Sequence, residues 1–162
     1  MVHLPLVESM LAALIAVVGT LLGVVVTNRQ QNRRADRSET IAAAERLRQE
    51  RITAYAEFAR TVMEFRSSQY QRWRHRQDGL DSPAYEEARY ESHQRRAQAW
   101  YALYRVRLVA AGERGLVELG KTAMTLATRI DEANDVEELR DIGSRTRVAV
   151  EEFIDAATPH IS

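Results

Sequence analysis

The stretch Gly115-Leu-Val-Glu-Leu-Gly120-Lys121-Thr122 matches, letter for letter, the G-x-x-x-x-G-K-[ST] pattern that cradles nucleotide phosphates. That chemistry needs a loop between a buried strand and a helix, with backbone N–H groups and the lysine converging on phosphate. Here Leu116, Val117 and Leu119 lie on a helical apolar face that continues through Ala123, Leu126 and Ile130, and no later apolar strand ending in aspartate offers a magnesium ligand. The letters therefore read as helix. Nucleotide binding is kept as a remote alternative, and the chain reads as a non-enzyme without a cofactor.

Metal chemistry finds as little support. None of the histidines (His3, His75, His93, His160) has a carboxylate three residues before it, no H-E-x-x-H occurs, and the chain has no cysteine. Disulfides, thiolate metal sites and cysteine nucleophiles are thereby excluded.

The remaining chemistry-bearing residues are arginines interleaved with aromatics. Lys121 is the single lysine among 23 basic residues. Arginine is suited to fixed, bidentate and stacking contacts, although a GC-rich genome produces the same usage. Over 66–76 and 85–96 large aliphatic residues disappear, leaving Tyr70, Trp73, Tyr85 and Tyr90 amid Arg66, Arg72, Arg74, Arg76, Arg89, Arg95 and Arg96. Of these, Tyr70, Arg72, Trp73, Arg74, Arg76, Tyr85, Arg89, Arg95 and Arg96 form the candidate set. Trp, Tyr and Arg are the residues enriched at interface hot spots, so this set is the candidate partner-binding surface. The competing reading is a satellite cluster in which Tyr70, Trp73 and Tyr85 pack on one another and the arginines pair with Glu86, Glu87 and Glu91. Such a composition also suits single-stranded nucleic acid, but a net charge of +0 and the facing carboxylates argue against it.

Three kinds of element must position these residues. The first is an apolar run, Met10 to Val26, in which Thr20 is the only polar side chain. At about 1.5 Å per residue it spans about 26 Å, near the roughly 30 Å hydrocarbon core. Residues 1–27 are expected to form one transmembrane anchor. Arg29, Arg33, Arg34 and Arg37 follow the run and no Lys or Arg precedes it. The positive-inside rule then places the N-terminus outside the cell membrane and the C-terminal domain in the cytoplasm. The opposite topology would make the same domain an extracytoplasmic sensor or spacer. Ala12, Ala16, Gly19 and Gly23 share one face of the anchor and include a GxxxG, the pattern by which membrane helices self-associate.

Residues 28–40 read as a basic juxtamembrane stalk with no large apolar side chain before Ile41. Its four arginines face the level of lipid headgroups or simply set the topology.

The third element is an all-α domain over 41–158, followed by a frayed tail, 159–162. Hydrophobic residues at 45% and charged residues at 28% support a folded domain, and the apolar spacing is helical throughout. Helices are expected from Ile41 to about Trp73, from Ser82 and Pro83 to Ala111, from Leu116 to Ile130, and from Asp135 onward. Asp78-Gly79, Gly112 and Asn134 mark the breaks. Short connections favour an up-down-up-down four-helix bundle, or a three-helix variant that dimerises. Trp100, Tyr101, Tyr104 and Leu108 are expected in the core, with Tyr55 near Tyr104, Phe58 near Tyr101 and Val62 near Ala97. The C-terminal helices are shorter than the hairpin before them, so the Arg/aromatic end of that hairpin is expected to stand clear as a protruding tip.

In general form only, this architecture resembles small one-pass bacterial membrane proteins with a helical cytoplasmic domain. The expectation is a membrane-tethered, non-enzymatic interaction or scaffold module in contact with lipid. Homo-oligomers are expected, with a protein partner at the tip. A regulatory adaptor that switches helix packing is the alternative.

Overall fold

The computed structural model describes the backbone of residues 4–161 and the side chains of 39–161. All regular elements among the described residues are helical: α1 (Leu4–Arg76), α2 (Pro83–Val109), α3 (Arg114–Thr128) and α4 (Val136–Ala157), with 3-10 turns at Arg129–Glu132 and Thr158–Ile161. The chain divides into two compact units, Met1–Glu45 and Arg46–Ser162. In the first, the side chains described, from Glu39 to Glu45, are exposed. No helix among the described residues is long and apolar enough to cross a membrane. The apolar run Met10 to Val26, its stripe Ala12, Ala16, Gly19 and Gly23, and the arginines Arg29, Arg33, Arg34 and Arg37 lie outside the residues whose side chains are described.

The second unit is the expected antiparallel bundle. Its turns are built from local chemistry. Gly79 (φ 115°) and Gly112 (φ 99°) adopt the left-handed backbone that ends α1 and α2. Ser82 caps α2 by accepting a hydrogen bond from the Tyr85 N–H at 3.2 Å, with Pro83 in the first turn. Asp135 caps α4 by accepting from the Glu138 N–H at 2.8 Å. The Glu138 carboxylate reaches back to accept from the Asn134 N–H at 2.9 Å, a variant of the capping box.

The core rests on a stripe of α1, Ala54, Tyr55, Phe58, Val62 and Phe65, packed against Leu116, Ala123 and Met124 of α3 and Val150 and Phe153 of α4. The Phe153 ring stands 4.7 Å from Phe58 and 6.1 Å from Tyr55, edge to face in both cases. The Tyr55 hydroxyl has no hydrogen-bond partner, and burial pushes its pKa up, opposed in part by the nearby Arg51 charge.

The aromatic centre is therefore not the expected one. Tyr101 is 71% and Tyr104 53% exposed, and Leu108 is exposed as well. What α2 turns inward is a row of mostly small residues, Ala88, Ser92, Ala99, Ala102, Leu103 and Val106. The ring facing Phe58 and Tyr55 comes from α4 instead. Periodicity finds an apolar face on α2, but the helix carries two, and the small-residue face, not the tyrosine face, is the buried one.

Two glycines inside helices mark close approaches. A Cβ on Gly120 would lie 2.5 Å from Leu103 Cδ1, and one on Gly143 would lie 1.7 Å from the Tyr70 hydroxyl. Gly143→Ala is expected to lower stability by roughly 1–3 kcal/mol, because Tyr70 must vacate its seat. Gly115→Ala, where a Cβ meets nothing within 4 Å, is expected to raise it by about 0.5 kcal/mol. Denaturant titration of both variants checks the opposite signs.

Candidate functional site

The Arg/aromatic set sits on the last turns of α1 (Tyr70 to Arg76) and the first half of α2 (Tyr85 to Arg96). It does not protrude. The turn between α3 and α4 folds over its α1 part, and side chains from α1 bridge the difference in helix length. Carbonyls at the C-terminal end of a helix lack partners within it, and here α1 supplies donors to them. The Gln69 amide donates to Thr128 O at 2.9 Å and to Asp131 Oδ1 at 3.0 Å. The Trp73 indole donates to Ala133 O at 2.7 Å, and Arg76 donates to Asp131 O at 2.6 Å and Ala133 O at 2.7 Å. The Tyr70 hydroxyl donates to Leu139 O at 3.2 Å, and Arg66 Nε donates to Gly143 O at 2.9 Å while lying over the Tyr70 ring. Arg72 pairs with Asp131 at 3.1 Å. Beneath these contacts Ile130, Ala133, Leu139 and Ile142 form a small second core against Tyr70 and Trp73.

Of the candidate partner-binding residues, Tyr70, Arg72, Trp73 and Arg76 are thus engaged within the chain. Tyr85 is buried, and Arg95 crosses to Glu64 at 2.9 Å. Arg74 and Arg96 face solvent, as does Arg89, which pairs with Glu86 at 3.1 Å. The protruding tip is corrected to a closed end, and the satellite-cluster reading describes most of its residues. Arg89 pairs with Glu86 and Arg95 with Glu91 at 3.4 Å, as that reading has it, but Arg72 pairs with Asp131 and Arg76 donates to backbone carbonyls of the α3–α4 turn.

A similar device closes the opposite end. Arg48 Nε donates to Ile161 O at 2.8 Å, and Arg51 donates to Val109 O at 3.1 Å and His160 O at 3.2 Å. Cations at helix C-termini also complement the helix dipole. The sequence reading did not anticipate these residues, nor Gln69, whose amide oxygen accepts from the buried Ser92 hydroxyl. The one visible signal was a glutamine four residues beyond Phe65 on the buried stripe.

The phosphate-loop letters fall within α3. Gly120 is packed against Leu103 and Phe58, Lys121 pairs with Glu118 at 2.7 Å, and the Thr122 hydroxyl donates to Glu118 O. The open depression beside them, about 560 Å³, is lined by Arg107, Arg114 and Lys121 but also by Glu113 and Glu118. Among the described histidines, His75 faces Asp78 at 3.2 Å and His160 faces Glu113 at 3.6 Å. No group of three metal-ligating side chains occurs among the described residues.

The outer face of α2 carries Tyr101, Tyr104 and Leu108, which the spacing assigns to the core. Tyr90, Tyr101, Tyr104 and Leu108 all face solvent there.

Replacing the buried Gln69 tests the closure. Gln69→Leu leaves the Thr128 carbonyl and Ser92 hydroxyl unpaired and is expected to cost roughly 1–3 kcal/mol in a denaturant titration. Adding Ser92→Ala should recover part of the loss. An unchanged midpoint in the single variant would show that the network contributes nothing.

No curated protein and no solved structure matches the chain. A family model described as KilB plasmid transfer protein matches residues 52–161, which is the bundle from α1 to its final turn. That match covers more than half of the chain, and the chain belongs to this family.

Proposed function

We propose that this member of the KilB plasmid transfer family serves plasmid transfer as a membrane-tethered, non-enzymatic helical module that acts through contacts. The observation that carries the reading is the coincidence of the family match, 52–161, with a packed helical bundle whose Arg/aromatic end is closed by hydrogen bonds within the chain. The apolar run Met10 to Val26 lies just outside that match and supplies the tether, with the arginines from Arg29 to Arg37 on the cytoplasmic side. Self-association through Ala12, Ala16, Gly19 and Gly23 fits the small-residue stripe. At the closed end, the solvent-facing Arg74, Arg89 and Arg96 form the surface open to a protein partner.

Fractionation tests the tether. The full-length chain should sediment with membranes and resist extraction by high salt, whereas the chain lacking residues 1–27 should appear in the supernatant. Full-length protein in the supernatant would end the reading. Crosslinking and mass spectrometry on the membrane fraction then asks for a second protein linked near Arg74 or Arg96. Links between copies of this chain alone would leave self-association as its mode of action.

A further inference from the structure

On the side of α2 away from the core, Tyr90, Gln94, Ala97, Tyr101, Tyr104 and Leu108 succeed one another at spacings of four, three, four, three and four. All six are exposed, and Tyr90, Tyr101 and Leu108 are exposed by 67%, 71% and 79%. This is the 3.5-residue period of a helix–helix seam, in which alternate three- and four-residue steps keep one stripe facing a partner helix. It runs opposite the buried stripe of Ala88, Ser92, Ala99 and Val106. The helix places its bulk outside and its small residues inside, the reverse of what a helix belonging to one core requires.

The residues flanking the stripe identify what covers it. On one flank of the stripe Glu87 and Glu91 lie toward the N-terminal end of α2 and Arg105 toward the C-terminal end, while the other flank carries Arg89 and Arg107 at its two ends. On the first flank, a second helix running antiparallel and bearing the same sequence sets glutamate against arginine at both ends. A parallel copy sets the acidic turns against each other. We infer that the outer face of α2 is a two-fold, antiparallel self-association seam between two copies of this chain. The two-fold axis passes between Ala97 and Tyr101. Tyr101 then packs over the partner's Ala97, Gln94 meets the partner's Tyr104, and Glu91 faces the partner's Arg105. Large side chains oppose small ones at the centre, and the open groove between α1 and α2 that holds Arg60, Glu64 and Arg105 runs alongside. This contact goes beyond the proposed function: it uses a different surface from the anchor stripe and does not depend on self-association there.

The chain has no cysteine, so single cysteines report the seam without background. In full-length protein, both in membranes and in mild detergent, Gln98→Cys should form a disulfide-linked dimer on oxidation, and a mixture of Glu91→Cys and Arg105→Cys chains should link to each other. Leu108→Cys, far from the axis, should not link to itself. In Gln98→Cys chains, adding Tyr104→Ser and Leu108→Ser should reduce the link at least about tenfold while melting stays unchanged, because both residues are exposed. Self-linking by Leu108→Cys as strong as by Gln98→Cys would overturn the antiparallel seam, and so would absent or Tyr104-independent linking at position 98. Fractionation of the same samples separates this outcome from the tether: loss of membrane attachment leaves the link intact, whereas attached chains that fail to link contradict the seam.

Discussion

The bundle depends on one helix donating hydrogen bonds to the ends of the others. Every α-helix leaves carbonyls at its C-terminal end without partners, and burying such an end without a donor is costly. α2 and α3 end against α1, as does the 3-10 turn Thr158–Ile161 after α4, and α1 meets their carbonyls with long side chains. Arg51 serves the end of α2, Arg48 and Arg51 serve the final turn, and Gln69, Trp73 and Arg76 serve the turn after α3. The guanidinium fork, with several donors in a fixed plane, suits this task better than a lysine ammonium. These contacts set the register of the C-terminal hairpin on α1, and the packing of Phe153 on Phe58 and of Tyr70 over Gly143 is consistent with it.

That arrangement redistributes what the chain has available for contact. Side chains with the composition of an interface, Trp73 and Arg76 among them, are already engaged within the bundle. Among the described residues, α2 exposes a stripe of apolar side chains, where tyrosines and a leucine face water while alanines fill the core. The proposed mode of action through contacts draws on both features, donors engaged inside the bundle and an exposed apolar face on one helix.

Much of the fold was legible in the sequence because its signals are local. Helical spacing, Ser82-Pro83, the Asp135/Glu138 pair and the glycines at 79 and 112 each act within a few residues, and the structure places helix ends where they pointed. The choice of face on α2 was not legible. Both the tyrosine stripe and the alanine stripe have helical spacing, and hydrophobicity alone favours the bulky one as core. Gly120 and Gly143 held the missing information, since they show that α3 and α4 approach their neighbours closely, but a glycine in a helix does not name its neighbour. The closed end was misread for a related reason. Helix lengths counted in residues omit the reach of Arg76 and Trp73, and an arginine that donates to a distant carbonyl has the same sequence signature as one that waits for a partner.

The most direct measurement is amide hydrogen exchange on the full-length chain carrying Trp73→Phe and Arg76→Met, which keep bulk and remove the donors to Ala133 and Asp131. The account predicts faster exchange confined to the α3–α4 turn and the first turns of α4, roughly residues 129–142, with α1 and α2 unaltered. Unchanged protection there, together with loss of a crosslinked partner at the closed end, would contradict it and return Trp73 and Arg76 to the role of an external binding surface.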